Sequence, residues 1–120
     1  MQKNPNKCQF VGTLDTIVGK WKPLIIYLLL QGEPLRFNEL RRLLPGITQR
    51  MLTLHLRELE EEGIVKRVIY PQVPPKVEYS ITEYGMSLSP VMETIHQWGA
   101  IHVERKKLTN QITTSNSADL

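Results

Sequence analysis

The sequence predicts a mainly α fold with a small β-hairpin, and three observations carry that expectation. Apolar residues recur at helical spacing from Leu14 to Leu59, alternate with polar ones from Val77 to Ile81, and return to helical spacing from Leu88 onward. Gly and Pro punctuate the changes, at Gly32-Glu33-Pro34, Pro45-Gly46, Gly63 and Pro71-Gln72-Val73-Pro74-Pro75. The chain has 120 residues, a size that suits one compact domain able to bury a core without a metal or disulfide staple.

Taken in order, Leu14, Ile17, Val18 and Trp21 open the helical pattern and Gly19-Lys20 interrupts it. Pro23 stands where a first helical turn tolerates proline, and Leu24, Ile25, Leu28 and Leu29 carry a second helix up to Gly32. A short helix is expected over residues 37–44, with Phe37, Leu40, Leu43 and Leu44 on one face. Thr48 is a good N-cap for the next helix, which runs to Glu62 and stops at Gly63. Residues 64–70 are rich in β-branched side chains, and Val77, Tyr79 and Ile81 alternate with Glu78 and Ser80. These two strands are joined by a proline-stiffened loop ending at Lys76. Thr82 caps a last helix with Glu83 in its first turn, where a carboxylate suits the helix dipole. Its apolar stripe is Leu88, Val91, Met92, Ile95, Trp98 and His102, and Pro90 is a candidate kink. Helix, helix, helix-turn-helix, hairpin, helix is the layout of a winged helix with an added C-terminal helix. The domain is expected over residues 8–108, while 1–7 and 109–120 are too poor in apolar surface to offset ordering entropy and are expected to be flexible tails.

Composition narrows the function classes. The longest apolar run, Leu24 to Leu30, is about a third of what a membrane span needs. No basic segment leads into an apolar stretch with a small-residue cleavage site, so no secretory signal and no membrane are expected. The single cysteine, Cys8, rules out an intrachain disulfide framework and fits a reducing cytoplasm. A net charge of +3 is mild, and basicity at that level is shared by many unrelated domains.

The helix after Thr48 is the informative element. Leu52, Leu56 and Leu59 form its core-facing stripe, while Gln49, Arg50, Thr53 and Arg57 lie on the other face near its start. No acid precedes Glu58; Glu58, Glu60, Glu61 and Glu62 cluster at the far end, about 20 Å away along a helix of this length. A recognition helix inserts its N-terminal part into the major groove, where Arg and Gln read base edges and Thr meets phosphate or a thymine methyl. Carboxylates at the remote end keep clear of the phosphates. A second basic element supports the same reading: the hairpin carries Lys66 and Arg67 at its base and Lys76 at its tip, and such a ribbon can lie along flanking backbone or minor groove. Arg36, Arg41 and Arg42 can add phosphate contacts, although each taken singly is as well explained by solubility.

Several strings, in this order, resemble the HxlR-type transcription regulators, within the broader MarR-like winged-helix group. They are Gly19-Lys20-Trp21, Arg36-Phe37-Asn38-Glu39-Leu40, Leu44-Pro45-Gly46-Ile47-Thr48, Leu52-Thr53-Leu54-His55-Leu56-Arg57-Glu58-Leu59-Glu60, Val77-Glu78-Tyr79-Ser80-Ile81-Thr82 and Trp98-Gly99. The resemblance covers Cys8 to about His102 and implies a bacterial or archaeal winged helix-turn-helix with extra N- and C-terminal dimerisation helices. It implies a cytoplasmic, nucleoid-associated homodimer on double-stranded DNA, at an inverted-repeat operator. It places Leu14, Trp21, Leu88, Val91, Ile95 and Trp98 at the dimer interface, where part of the last stripe otherwise completes its own subunit's core. It also makes Cys8 a candidate thiol sensor of oxidants or electrophiles, although Gln9 follows where family members often carry proline. Beside Lys7 and near Lys3, at a helix start, a thiol is more easily ionised; the alternative is a small packed residue. With no second cysteine, Cys8 can pair only with the partner's copy or a small thiol.

Other chemistry is not expected. Seven dispersed glycines make no phosphate-cradling loop. His55, His96, His102 and one cysteine have no metal-ligand spacing, and His55 reads as a packed histidine. No nucleophile has a base and an orienting partner at suitable spacing, so neither an enzyme nor a cofactor is expected. Trp21 and Trp98 suit a core or a dimer contact better than a ligand stack. The alternative function is a winged-helix module that binds protein rather than DNA; it predicts no salt-steep DNA affinity.

Overall fold

A computed structural model describes Gln9, Gly12, Leu14, Ile17 and residues 19–118, with side chains as far as Gln111. Gln9, Gly12, Leu14 and Ile17 are each helical. The named elements follow as α1 (Trp21–Leu29), α2 (Phe37–Leu43), α3 (Gln49–Glu61), β1 (Val65–Tyr70), β2 (Lys76–Ile81), α4 (Glu83–Met86) and α5 (Ser89–Ala118). The architecture is the mainly helical one expected, with one antiparallel hairpin among the described residues as the wing. The chain divides between Leu88 and Ser89 into two compact units.

The first unit is built around α3. Its Leu52, Leu56 and Leu59 are enclosed together with Ile25, Ile26 and Leu29 of α1, Leu40 of α2, and Leu44, Ile47, Ile64 and Val65. Fully burying a leucine or isoleucine is worth about 1.5–3 kcal/mol, so this cluster is what holds the helix-turn-helix together. The α1 face is rotated from the one expected: Ile26 is buried and Leu24 is exposed. Leu43 of α2 is also exposed, because Leu40 alone of that helix points into the core.

Local chemistry fixes the ends of α3. The Thr48 hydroxyl oxygen accepts from the Met51 backbone N–H at 3.1 Å, as an N-cap should. At the other end Gly63 takes φ +74°, a left-handed conformation that a side chain would resist. The Gly63 N–H donates to Glu60 O at 2.9 Å and the Ile64 N–H to Leu59 O at 3.0 Å. This double bond pattern closes the helix and turns the chain into β1.

β1 and β2 pair antiparallel, from Val65↔Ile81 to Tyr70↔Lys76. Leu35 adds a short bridge to the free edge of β2: its N–H donates to Tyr79 O at 2.9 Å, and the Tyr79 N–H donates to Leu35 O at 2.8 Å. The wing is thereby tied to the turn before α2. Of the apolar alternating set on β2, only Tyr79 is buried; Val77 and Ile81 are half-buried.

The helix expected after Thr82 is split. Thr82 does cap α4, accepting from the Gly85 N–H at 2.8 Å, but α4 ends at Met86 and a turn through Ser87 and Leu88 precedes α5. Pro90 therefore sits in the first turn of a new helix, where its missing N–H costs nothing, and not at a kink. In the second unit, α5 continues to Ala118, taking in the backbone of residues 109–118 from the segment expected to be a flexible tail. Val91, Ile95 and Trp98 are exposed along it, and the Trp98 and His102 rings stack with centroids 4.9 Å apart.

Candidate nucleic-acid interface

The exposed side of α3 forms one continuous face. Gln49, Arg50, Thr53, Leu54 and Arg57 line an open hollow of about 540 Å³ on it. These positions fall one turn apart along the helix, opposite the buried Leu52, Leu56 and Leu59. The first turn carries no acid, so the positive end of the helix dipole and Arg50 add in sign. Thr53 is less available than its position suggests, because its hydroxyl donates to Gln49 O at 2.8 Å. Thr48 is likewise engaged as the cap, although it is exposed at the helix start. Leu54, 52% exposed in the middle of this face, is not among the residues expected there from the sequence. The signal was there: it falls off the stripe set by Leu52, Leu56 and Leu59.

A second hollow, of about 600 Å³, lies between α2 and the wing and is lined by Arg36, Phe37, Asn38, Glu39, Arg42, Pro75, Lys76 and Val77. It brings together Arg36, Arg42 and Lys76, cations the sequence could assign only one by one. Arg36 is at the N-cap position of α2, where its backbone N–H donates to Glu39 Oε1 at 3.0 Å. Lys76 is partly neutralised: its Nζ lies 2.7 Å from Glu78 Oε1 and 4.9 Å from the centroid of the Tyr70 ring.

The base of the wing differs from the tip. Arg67 Nε lies 3.5 Å from Glu60 Oε1 and faces Tyr79 across the strands. Burial pushes the Tyr79 hydroxyl above its ordinary pKa, and Arg67 opposes that shift. Arg67 thus ties β1 to the acidic end of α3 as well as presenting a cation, whereas Lys66 on β1 is exposed opposite Ser80. Beside this face, toward the far end of α3, the Lys22 ammonium pairs with the Glu58 carboxylate. That hydrogen bond is the main reason the Glu58 carboxyl is held below its usual pKa. His55 is half-buried as expected, with Nδ1 enclosed and no hydrogen-bond partner among the described residues.

The remaining candidates lie apart from these hollows. Leu14 is helical and partly exposed. Trp21 is half-buried, with Lys20 Nζ 4.6 Å from its ring centroid. Leu88 is half-buried in the turn before α5. Cys8, with its neighbours Lys3 and Lys7, lies outside the described residues. Among the described residues no group of three or more His, Cys, Asp or Glu side chains could hold a metal ion, and no helix is long and apolar enough to cross a membrane.

Three packed helices, the last two forming a helix-turn-helix, and a hairpin wing define the winged helix-turn-helix class of transcriptional regulators. The chain belongs to the HxlR-like helix-turn-helix family, whose profile matches residues 16–107. It is 57% identical over 97 residues to the uncharacterized HTH-type transcriptional regulator YybR of Bacillus subtilis strain 168, spanning 79% of this chain and 77% of that protein. Among solved structures it is similar to the redox regulator HypR in its reduced form, with a TM-score of 0.78 and 51% identity, covering 83% of this chain and 98% of that one. It is also similar to diamide-treated YodB from B. subtilis, with a TM-score of 0.66 and 33% identity, covering 81% and 95% of the two chains. The curated relatives carry the names of transcriptional regulators, not of enzymes.

Proposed function

We propose that this regulator binds double-stranded DNA as a homodimer at an inverted-repeat operator, with α3 of each protomer in a major groove. The observation that carries this reading is the α3 face. Gln49, Arg50 and Arg57 are exposed around one hollow, with no acid in the first turn and the carboxylates gathered at the far end. Arg36, Arg42 and Lys76 around the second hollow suit phosphates flanking the groove. The exposed Val91, Ile95 and Trp98 of α5 suit a second copy of the chain, as a lone helix would not leave that much apolar surface in water. Such a protein works on the chromosome, in the cytoplasm.

Gel shift of the full chain on the DNA flanking its own gene tests the reading. Affinity should fall steeply with salt, with a log–log slope of about −0.9 for each phosphate contacted. An affinity for protein partners with no salt-steep DNA binding would establish the protein-interaction module instead.

Control by thiol chemistry is supported by the names of two similar structures, a redox regulator and a diamide-treated protein. In this chain it would fall to Cys8, the only thiol. Two Cys8 thiols from paired protomers would lose two protons and two electrons to an oxidant such as diamide and form one disulfide. Diamide should then change operator affinity in the native protein and leave the Cys8→Ser variant unaffected. Equal affinity before and after complete modification of Cys8 would remove the switch and leave DNA binding standing.

A further inference from the structure

Leu54 is an anomaly on the surface it occupies. Each step along an α-helix turns the side chain by about 100°, so Leu54 points away from both Leu52 and Leu56. Those two are at 0% and 1% exposure while Leu54 is at 52%. One turn before it stands Arg50 and one turn after it Arg57, and all three line the same hollow. The exposed Leu24 and Leu43 belong to other helices and line neither hollow. Neighbouring Thr53 has its hydroxyl bonded back to Gln49 O, so the centre of the face is apolar in character between two cations.

In the major groove the bases present donors, acceptors and one apolar group, the C5-methyl of thymine. A leucine held between two arginines matches that group and no other base-edge feature. We infer that Leu54 is a specificity-determining residue that packs against the methyl of one thymine in each half-site. This inference rests on the proposed placement of α3 in the major groove. It goes beyond that placement by naming the base and the atom that are read.

The test replaces thymines with deoxyuridine, which removes the methyl and keeps every hydrogen-bonding group. Equilibrium binding is measured for the full chain, Leu54→Ala and Leu54→Met, on the operator and on duplexes with each half-site thymine replaced in turn. The wild type should lose about fourfold in affinity at one thymine per half-site, the worth of one buried methyl-sized group, with an unchanged salt slope. Leu54→Ala should be indifferent to uracil at that position, and Leu54→Met should still respond to it. Because the side chain is exposed, both variants should keep the wild-type circular dichroism. A wild type that binds the operator yet ignores every uracil overturns the inference and leaves the proposed function intact; so does a Leu54→Ala variant with the wild-type uracil response. A wild type that binds no DNA specifically overturns both.

Discussion

Lys22 of α1 and Glu58 of α3 form an ion pair across the interface between the two helices. The Lys22 side chain is 12% exposed and that of Glu58 is 38% exposed, so the pair lies at the rim of the core. It ties the acidic far end of α3 to α1, and Arg67–Glu60 ties the same end to the wing. The carboxylates that a sequence reading treats as solvated surface thus help set how α3 is held.

Acid should weaken this anchorage in a defined window. Lys22 holds the Glu58 carboxyl below its usual value of 4.5. A depressed carboxyl stabilises the fold above its unfolded pKa, and that contribution is lost as pH falls through the folded one. Glu58→Gln should therefore cost about 1 kcal/mol or less near neutrality, given the solvent exposure of the pair. The gap between wild type and variant in urea titrations should close below the usual carboxyl pKa. A gap that stayed constant into strong acid would show that the pair contributes nothing through its charge.

Gly85 marks a tight crossing. A Cβ there would collide with the backbone oxygen of Ile64 and stand 2.9 Å from the Ile81 side chain. The Thr82 hydroxyl, which donates to Gly63 O at 2.6 Å, fixes the same corner. Gly85→Ala should destabilise the protein by about 1–3 kcal/mol, since a backbone atom cannot move aside as a side chain can. Thermal unfolding at neutral pH reads this directly, and an unchanged midpoint would refute it.

Arg50 and Lys76 should fail in different ways when removed. Arg50→Ala should lose discrimination among operator bases, by about 1–3 kcal/mol if it makes a bidentate guanine contact. Lys76→Ala should weaken all sequences alike and reduce the salt slope by about one. Lys76 must exchange Glu78, 2.7 Å away, for a phosphate to do so. Equal changes in slope and specificity for both variants would contradict the assigned roles.

Trp98 is 63% exposed on α5 and stacks on His102. Trp98→Asp should give a folded monomer with poor operator affinity, because an aspartate on an apolar contact face must be desolvated without a partner. Sedimentation at micromolar concentration would reveal it. A variant that remained dimeric would place the interface elsewhere.

The helix-turn-helix and the wing were legible in the sequence because their signals are local. Thr48 and Gly63 bracket α3 by capping chemistry, and the β-branched runs around Pro71–Pro75 announce the hairpin. What was not legible depends on contacts distant in sequence. The split between α4 and α5 follows from the corner where Thr82 and Gly85 meet residues 63 and 64. The rotation of α1 that buries Ile26 and exposes Leu24 is set by what α1 packs against. The pairing of Arg67 with Glu60 is hidden in the same way, because nothing in the linear order places the two side chains together. Leu54 is the exception: its spacing, off the stripe of Leu52, Leu56 and Leu59, signals exposure, although its residue type in a leucine-rich helix suggests core.

The most direct test of the account is a hydroxyl-radical footprint of the full chain on the DNA flanking its own gene. Two α3 helices related by a twofold axis should protect an inverted repeat, with half-site centres about 10 bp, or a multiple of that, apart. Protection of a single unsymmetric half-site, or uniform protection without a repeat, would contradict it.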